Sequence, residues 1–193
     1  TEHTGDRIYG WDVINEPIDD NGQWRGIGGN FMNDDSHPVE EEGLELNWAD
    51  DHFYWGYYIG KEYAVKAFEY ARQYAPEGTV LFVNDYNLES NPAKLDALID
   101  FVGYIEQNGQ TVDGIGTQMH VSADTTATFN EKIDNMFKKM AATGKIVRVT
   151  ELDVRLGTAS PSAGQLEMQA KTYRHIAASY IQHVPEAQRS GIT

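Results

Sequence analysis

The sequence predicts an α/β fold with a parallel sheet, in the form of a partial TIM (β/α)8 barrel. Three observations carry this expectation. Apolar runs with strand character alternate with amphipathic helical stretches, in the order β-α-β-α-β-α-β-α and then the start of another strand. Alternation with short links suits parallel strands joined by right-handed crossovers. Each strand also ends in polar residues: Asn15 and Glu16, Asn84 and Tyr86, Gln118 and His120, Glu151 and Asp153. An open doubly wound sheet gathers its chemistry at one switch point, whereas a barrel gathers the end of every strand around one mouth. A full barrel takes roughly 250 residues. The 193 residues here read as about its second half, one domain over 1–193.

The first strand, Ile8 to Ile14, is mostly aromatic and aliphatic, as a strand covered on both faces is. Pro17 lacks an N–H and cannot extend a ladder, so Asn15 and Glu16 fall where strand becomes loop. Thr1 to Arg7 read as a linker or the end of a preceding element. Residues 18–52 form a long irregular segment containing Gly22, Gly26, Gly28, Gly29 and Gly43. It carries acidic clusters at Asp19-Asp20, Asp34-Asp35, Glu40 to Glu42 and Asp50-Asp51. Loops this long inside compact domains are usually functional or mobile. The clusters lack a calcium-loop pattern and read as solvated charge, and Gly26-Ile27-Gly28-Gly29 lacks the setting of a phosphate loop.

Residues 53–75 predict one helix with Ala64, Ala67, Phe68 and Ala71 as its apolar stripe, ended by Pro76 and Gly78. Thr79 to Val83 is a buried strand. Asn91-Pro92 supplies an N-cap and a first-turn proline for a helix with Leu95, Leu98, Ile99, Val102 and Ile105 inward. Val112 to Met119 is the next strand. Thr128 with Glu131 has capping-box spacing before a stripe of Phe129, Ile133, Met136, Phe137 and Met140. Ile146 to Thr150 is a strand that delivers Glu151. Ser162 with Gln165 is a second capping box, leading a helix with Leu166, Ala170, Tyr173, Ala177 and Tyr180 on one face. Ser190 to Thr193 begins one more strand.

A hydrophobic content of 40% with 23% charged residues describes a globular chain. No apolar run is long enough to cross a bilayer, and no signal peptide stands at residue 1. The absence of cysteine excludes disulfides and thiolate metal sites. A net charge of −15 opposes phosphate backbones and anionic lipid, so neither nucleic acid nor a membrane is expected as a partner.

Two carboxylates on non-adjacent strands of one mouth suit glycoside hydrolysis. One must be protonated to give a proton to the leaving oxygen, and the other ionised to attack the anomeric carbon. No Gly-x-Ser-x-Gly elbow or cysteine competes as nucleophile. His120 beside an acid reads as an orienting partner, since no His-Glu-x-x-His or His-x-His is present, and neither a metal nor a cofactor is expected. Trp24, Phe31 and Trp48 either stack on a sugar ring or pin their loop to the body.

Trp11-Asp12-Val13-Ile14-Asn15-Glu16, Asn84-Asp85-Tyr86-Asn87, Gly114-Ile115-Gly116-Thr117-Gln118-Met119-His120 and Thr150-Glu151-Leu152-Asp153 occur in this order. Together they resemble the successive strand-end motifs of family 10 glycoside hydrolases, the retaining endo-β-1,4-xylanases. The resemblance covers strands four to seven and the start of strand eight. It implies Glu16 as acid/base and Glu151 as nucleophile. It implies that Asn15 bonds the 2-hydroxyl of the sugar at the cleavage point, that Gln118 helps bind that sugar, and that Tyr86 lines the first leaving-group subsite. His120 would orient Glu151, with Asp153 behind it. Arg155 reads as a structural ion-pair partner.

Xylan or xylo-oligosaccharides are the implied substrate, and a secreted, cell-surface or periplasmic setting is implied with them. The family's first three strands, with a Lys, an Asn and a His for the non-reducing-side sugars, are absent, as are the tryptophans beyond strand eight. These residues alone are therefore expected to be inactive, or to associate with the missing half of the barrel or another copy. The loop after Pro17 is longer than usual for the family and is expected to reshape the leaving-group side. Another retaining barrel glycosidase, such as a cellulase or mannanase, and a non-catalytic carbohydrate-binding fragment are the alternatives.

Overall fold

A computed structural model describes residues 8–27 and 55–193, the side chain of Tyr57 excepted. In chain order the elements are β1 (Gly10–Asn15), α1 (Trp55–Ile59), α2 (Glu62–Tyr74), β2 (Val80–Asp85), α3 (Pro92–Gln107), β3 (Gly114–Thr117) and β4 (His120–Ser122). Then follow α4 (Ala127–Ala142), β5 (Ile146–Val149), β6 (Asp153–Arg155), α5 (Ala163–His183), a 3-10 turn (Glu186–Gln188) and β7 (Arg189–Ile192). Five strands form one sheet in the order β1-β2-β3-β5-β7, with every pairing parallel. β4 and β6 form a second, two-stranded parallel ladder. The expectations for Thr1 to Arg7, Gly28, Gly29, Phe31, Gly43, Trp48 and the acidic clusters from Asp34 to Asp51 lie outside the described residues.

The two faces of the sheet hold different chemistry. Leu81 and Val83 of β2 join the cluster that includes Phe68 of α2, Leu98 and Phe101 of α3 and Phe137 of α4. Successive side chains of a strand point to opposite faces, so Phe82 and Asn84 turn away from the helices. A Cβ at Gly10 would come within 2.8 Å of the Phe82 ring, and one at Gly114 within 2.3 Å. The glycines of β1 and β3 thus open the space that the buried Phe82 ring fills. One layer further along, a Cβ at Gly116 would stand 2.5 Å from Asn84 Oδ1, so this glycine makes room for the asparagine.

Four expectations need correction. The helix over 53–75 is two helices, because Gly60 takes a φ of +73° and turns the chain between α1 and α2. The strand after Val112 ends at Thr117, and β4, a separate piece, begins at His120; Met119 between them has a φ of +63°. The cap of α4 is Thr126 and not Thr128, its side chain accepting from Phe129 N at 3.2 Å. The inward face of α5 is Thr172, Ile176, Ser179 and Tyr180, while Leu166 and Tyr173 are exposed. That face is partly polar because its hydroxyls serve neighbours: Thr172 Oγ1 donates to Asp124 O at 2.9 Å and Ser179 Oγ to Asp134 Oδ1 at 2.6 Å. The caps at Asn91 and Ser162 form as expected, the latter as a complete capping box.

Beneath the strand ends lies a buried ion pair. Lys94 Nζ stands 3.1 Å from Asp85 Oδ1, and both side chains are fully buried. Burial pushes the Asp85 carboxyl up to about 6, against the Lys94 charge and hydrogen bonds from the backbone N–H of Tyr86 and Ile18. A carboxyl raised in the folded state favours folding most while protonated, so its contribution falls as pH rises from about 4 through about 6. Lys94→Met removes the charge that opposes this rise, so its penalty should grow with pH. We expect a loss of about 3–5 kcal/mol near pH 7.5 and a clearly smaller loss near pH 4.5, read by urea unfolding. Equal losses at both pH values would contradict this.

Candidate active site

The polar strand ends converge because the parallel register aligns them. Asn15 pairs with Asn84 between β1 and β2, and Thr117 pairs with Val149 between β3 and β5. The next residues along those strands are Glu16, Gln118 and Thr150-Glu151. Glu16, Asn87 and Met119 follow their strands in the left-handed region, with φ of 55°, 57° and 63°. Non-glycine residues hold such angles only where surroundings enforce them. For Glu16 one restraint is its own N–H, which donates to Asn84 O at 2.8 Å.

Asn84 is the hub. Its side chain is buried, and Nδ2 donates to Asn15 Oδ1 at 2.9 Å and to Glu151 Oε1 at 3.2 Å. Its Oδ1 accepts from Thr150 Oγ1 at 2.9 Å. Gln118 Nε2 donates to Glu16 Oε1 at 2.8 Å and reaches Asn15 Oδ1 at 3.4 Å. Asn15 Nδ2 donates to Glu16 Oε1 at 3.3 Å. One amide network therefore joins Glu16, on the β1 end, to Glu151, on the β5 end.

Glu151 has a second support. The β4–β6 ladder pairs His120 with Asp153, and His120 Nδ1 lies 2.5 Å from Asp153 Oδ2 while Nε2 lies 3.3 Å from Glu151 Oε2. Arg155 Nε contacts Asp153 Oδ1 at 3.2 Å, the ion pair expected of it. Partial desolvation pushes the Asp153 carboxyl up, but the hydrogen bond and charge of His120, joined by Arg155, more than reverse it and hold it below its ordinary value. That restraint is present above the usual carboxylate range and is lost as pH falls through it. Asp12, on β1, is pushed the other way: burial raises its carboxyl, Arg148 opposes the rise and the Glu151 charge adds to it.

The structure brings Asn15, Glu16, Gln118, His120, Glu151 and Asp153 into this network. Gln118 bonds Glu16 directly, a contact the sequence does not reveal. Tyr86 is held separately: Arg25 Nη2 donates to its hydroxyl at 2.8 Å, and Lys94 Nζ lies 3.3 Å from its ring centroid. Trp24 pins its loop, packing edge-on against Phe101 and Tyr104 of α3 at 4.9 and 5.3 Å between centroids. Sequence reasoning gave no role to Asn84, Thr150 or Arg25. The available signal was an asparagine closing an otherwise apolar run, since a buried amide needs partners. Among the described residues, no three His, Asp or Glu side chains group closely enough to hold a metal ion. An apolar cavity of about 560 Å³ lies beside β1, lined by Val13, Asn15, Trp55, Ile59 and Tyr70 among others.

Parallel strands thus bring two carboxylates, three amides and an imidazole–carboxylate pair together at one edge of the sheet. The chain belongs to glycosyl hydrolase family 10, whose model matches residues 1–193. It is 36% identical over 173 residues to Endo-1,4-beta-xylanase A of Thermoanaerobacterium saccharolyticum, covering 88% of this chain and 12% of that protein. It is 35% identical to Exoglucanase XynX of Acetivibrio thermocellus, covering 88% of this chain and 13% of the relative.

The crystal structure of TsXylA, described as an intracellular xylanase of T. saccharolyticum, superposes with a TM-score of 0.73 at 31% identity. That match covers 96% of this chain and 47% of that one. A thermostable mutant of a Cellvibrio japonicus xylanase gives 0.72 at 29% identity, covering 99% of this chain and 55% of that one. The chain thus spans about half the length of these solved structures and an eighth of the first two relatives. The fold is part of a TIM barrel.

Gly116→Ala tests the hub. The added methyl should displace the Asn84 side chain and break its bond to Glu151 while the sheet persists. A crystal structure of the variant with Asn84 Nδ2 still about 3.2 Å from Glu151 would contradict this account.

Proposed function

We propose that the complete protein carrying these residues is a retaining endo-β-1,4-xylanase. The observation that supports it best is the single amide network linking Glu16 with Glu151. In this reading Glu16, protonated, gives its proton to the glycosidic oxygen while the Glu151 carboxylate attacks the anomeric carbon. The bond to the leaving sugar breaks and a glycosyl ester forms on Glu151. Glu16, now ionised, then takes a proton from water, the water oxygen attacks the same carbon, and Glu151 is released.

The remaining roles are those the family resemblance implies, and the contacts are consistent with them. His120, backed by Asp153, aims Glu151. Gln118 steadies Glu16, and Asn15, held by Asn84, presents its amide to the sugar's 2-hydroxyl. Relatives solved with xylotriose and with xylotetraose support xylo-oligosaccharides as the ligand class. The relative named as an exoglucanase favours testing cellulose as a second substrate. The apolar cavity beside β1, lined in part by the exposed Trp55 and Tyr70, is where the earlier strands and helices of the barrel would close the fold.

Assays of the complete protein on xylan, cellulose and mannan should show xylan preferred. Glu16→Gln should lower xylan turnover by about 10²–10⁴-fold, and Glu151→Gln should abolish it. Full activity in either variant, or preference for another polymer, would refute the reading. Residues 1–193 expressed alone should not cleave xylan as a monomer; efficient cleavage by that monomer would refute the need for a closed barrel.

A further inference from the structure

Residues Pro17 to Gly26 fold into a tight tongue that leads to Tyr86. Ile18 bridges Trp24 in antiparallel fashion, and Asp19 Oδ1 accepts from the N–H groups of Asn21 and Gln23 at 3.0 and 2.6 Å. The tongue is seated on the end of β2 and the start of α3. Ile18 N donates to Asp85 Oδ2 at 3.1 Å, Asn91 Nδ2 donates to Asp20 O at 2.8 Å, and the Trp24 ring packs on α3. These contacts hold the tongue whatever Arg25 does. The Arg25 side chain nevertheless runs fully buried to the Tyr86 hydroxyl, 2.8 Å away. Lys94, also fully buried, covers one face of the same ring. Lys94 is paired with Asp85 and Asp20 at 3.1 and 3.2 Å and packs the face of the ring while Arg25 holds its hydroxyl, so the phenol is fixed at both places.

A guanidinium has only donors, so the Tyr86 oxygen must accept from it. The hydroxyl's own proton must then point elsewhere. We propose that Arg25 is a positioning residue of the leaving-group side: it commits the Tyr86 hydroxyl to donate to a hydroxyl of the departing sugar. This rests on the reading of the site as a xylanase and adds to it a device that acts through the substrate's reducing-side half. A ring free to turn, or a hydroxyl free to accept, would not hold the departing oxygen in line with Glu16.

The test uses the complete protein and two substrates that share their non-reducing side. Xylotetraose places sugars on the leaving-group side; an aryl β-xylobioside carries an activated phenol there and no sugar. Arg25→Met and Tyr86→Phe should each lower the ratio of kcat/KM for xylotetraose over the aryl xylobioside by about five- to tenfold. The double variant should be no worse than either single one, since both remove one interaction. Arg25→Lys, which keeps a buried cation and serves if Arg25→Met does not fold, should give an intermediate fall in the same ratio. A ratio unchanged from wild type in the Arg25 variants, or losses that multiply in the double variant, overturns the proposal while leaving the xylanase reading intact. A wild type that cleaves neither substrate overturns both.

Discussion

The site depends on one buried amide. Asn84 sits at the end of β2, and its side chain makes three hydrogen bonds to residues at two other strand ends. A buried amide left without partners costs about 1–3 kcal/mol, so its neighbours are constrained to meet it. Asn15, Thr150 and Glu151 do so from β1 and β5, the strands on either side of the β2–β3 pair. The result is a fixed relation between the residue after β1 and the residues after β5. Gly116 is the steric counterpart on β3, because any side chain there would occupy the space of the asparagine oxygen.

The backbone is shaped to the same end. Parallel pairing sets all the strand ends at one edge, and each of the first three strands then turns through a left-handed residue, Glu16, Asn87 or Met119. Such conformations cost of order 1–3 kcal/mol each and break the sheet where chemistry begins. After Met119 the chain re-forms as β4, and β4 pairs with β6 instead of the main sheet. That small ladder is what places His120 against Asp153, so the support of Glu151 is a consequence of strand register and not of side-chain reach alone.

Much of this was legible in the sequence because it is local. Strand-end polarity, the Asn91-Pro92 cap and the Ser162–Gln165 box depend on neighbours within a few positions, and the structure bears them out. Glu16 and Glu151 stood out because an acid after an apolar strand is a local pattern too. What escaped was set by distant partners. The buried face of α5 is partly polar because Thr172 and Ser179 bond to Asp124 and Asp134, so hydrophobic periodicity found Tyr180 but missed the rest of that face. Thr126 outcompeted Thr128 as the α4 cap, with Asp124 Oδ1 bonding its N–H at 2.7 Å. The roles of Asn84 and Arg25 depend on residues 67 and 61 positions away, and no window of sequence contains both ends.

The claim that the Asn15–Asn84 amides set two carboxylates at the spacing for double displacement is tested most directly by a crystal structure of the complete protein. The measurement is the distance between the carboxyl groups of Glu16 and Glu151. A separation of about 5–5.5 Å is predicted. A separation of roughly 6.5–9.5 Å, room for an intervening water and inversion, would contradict the account.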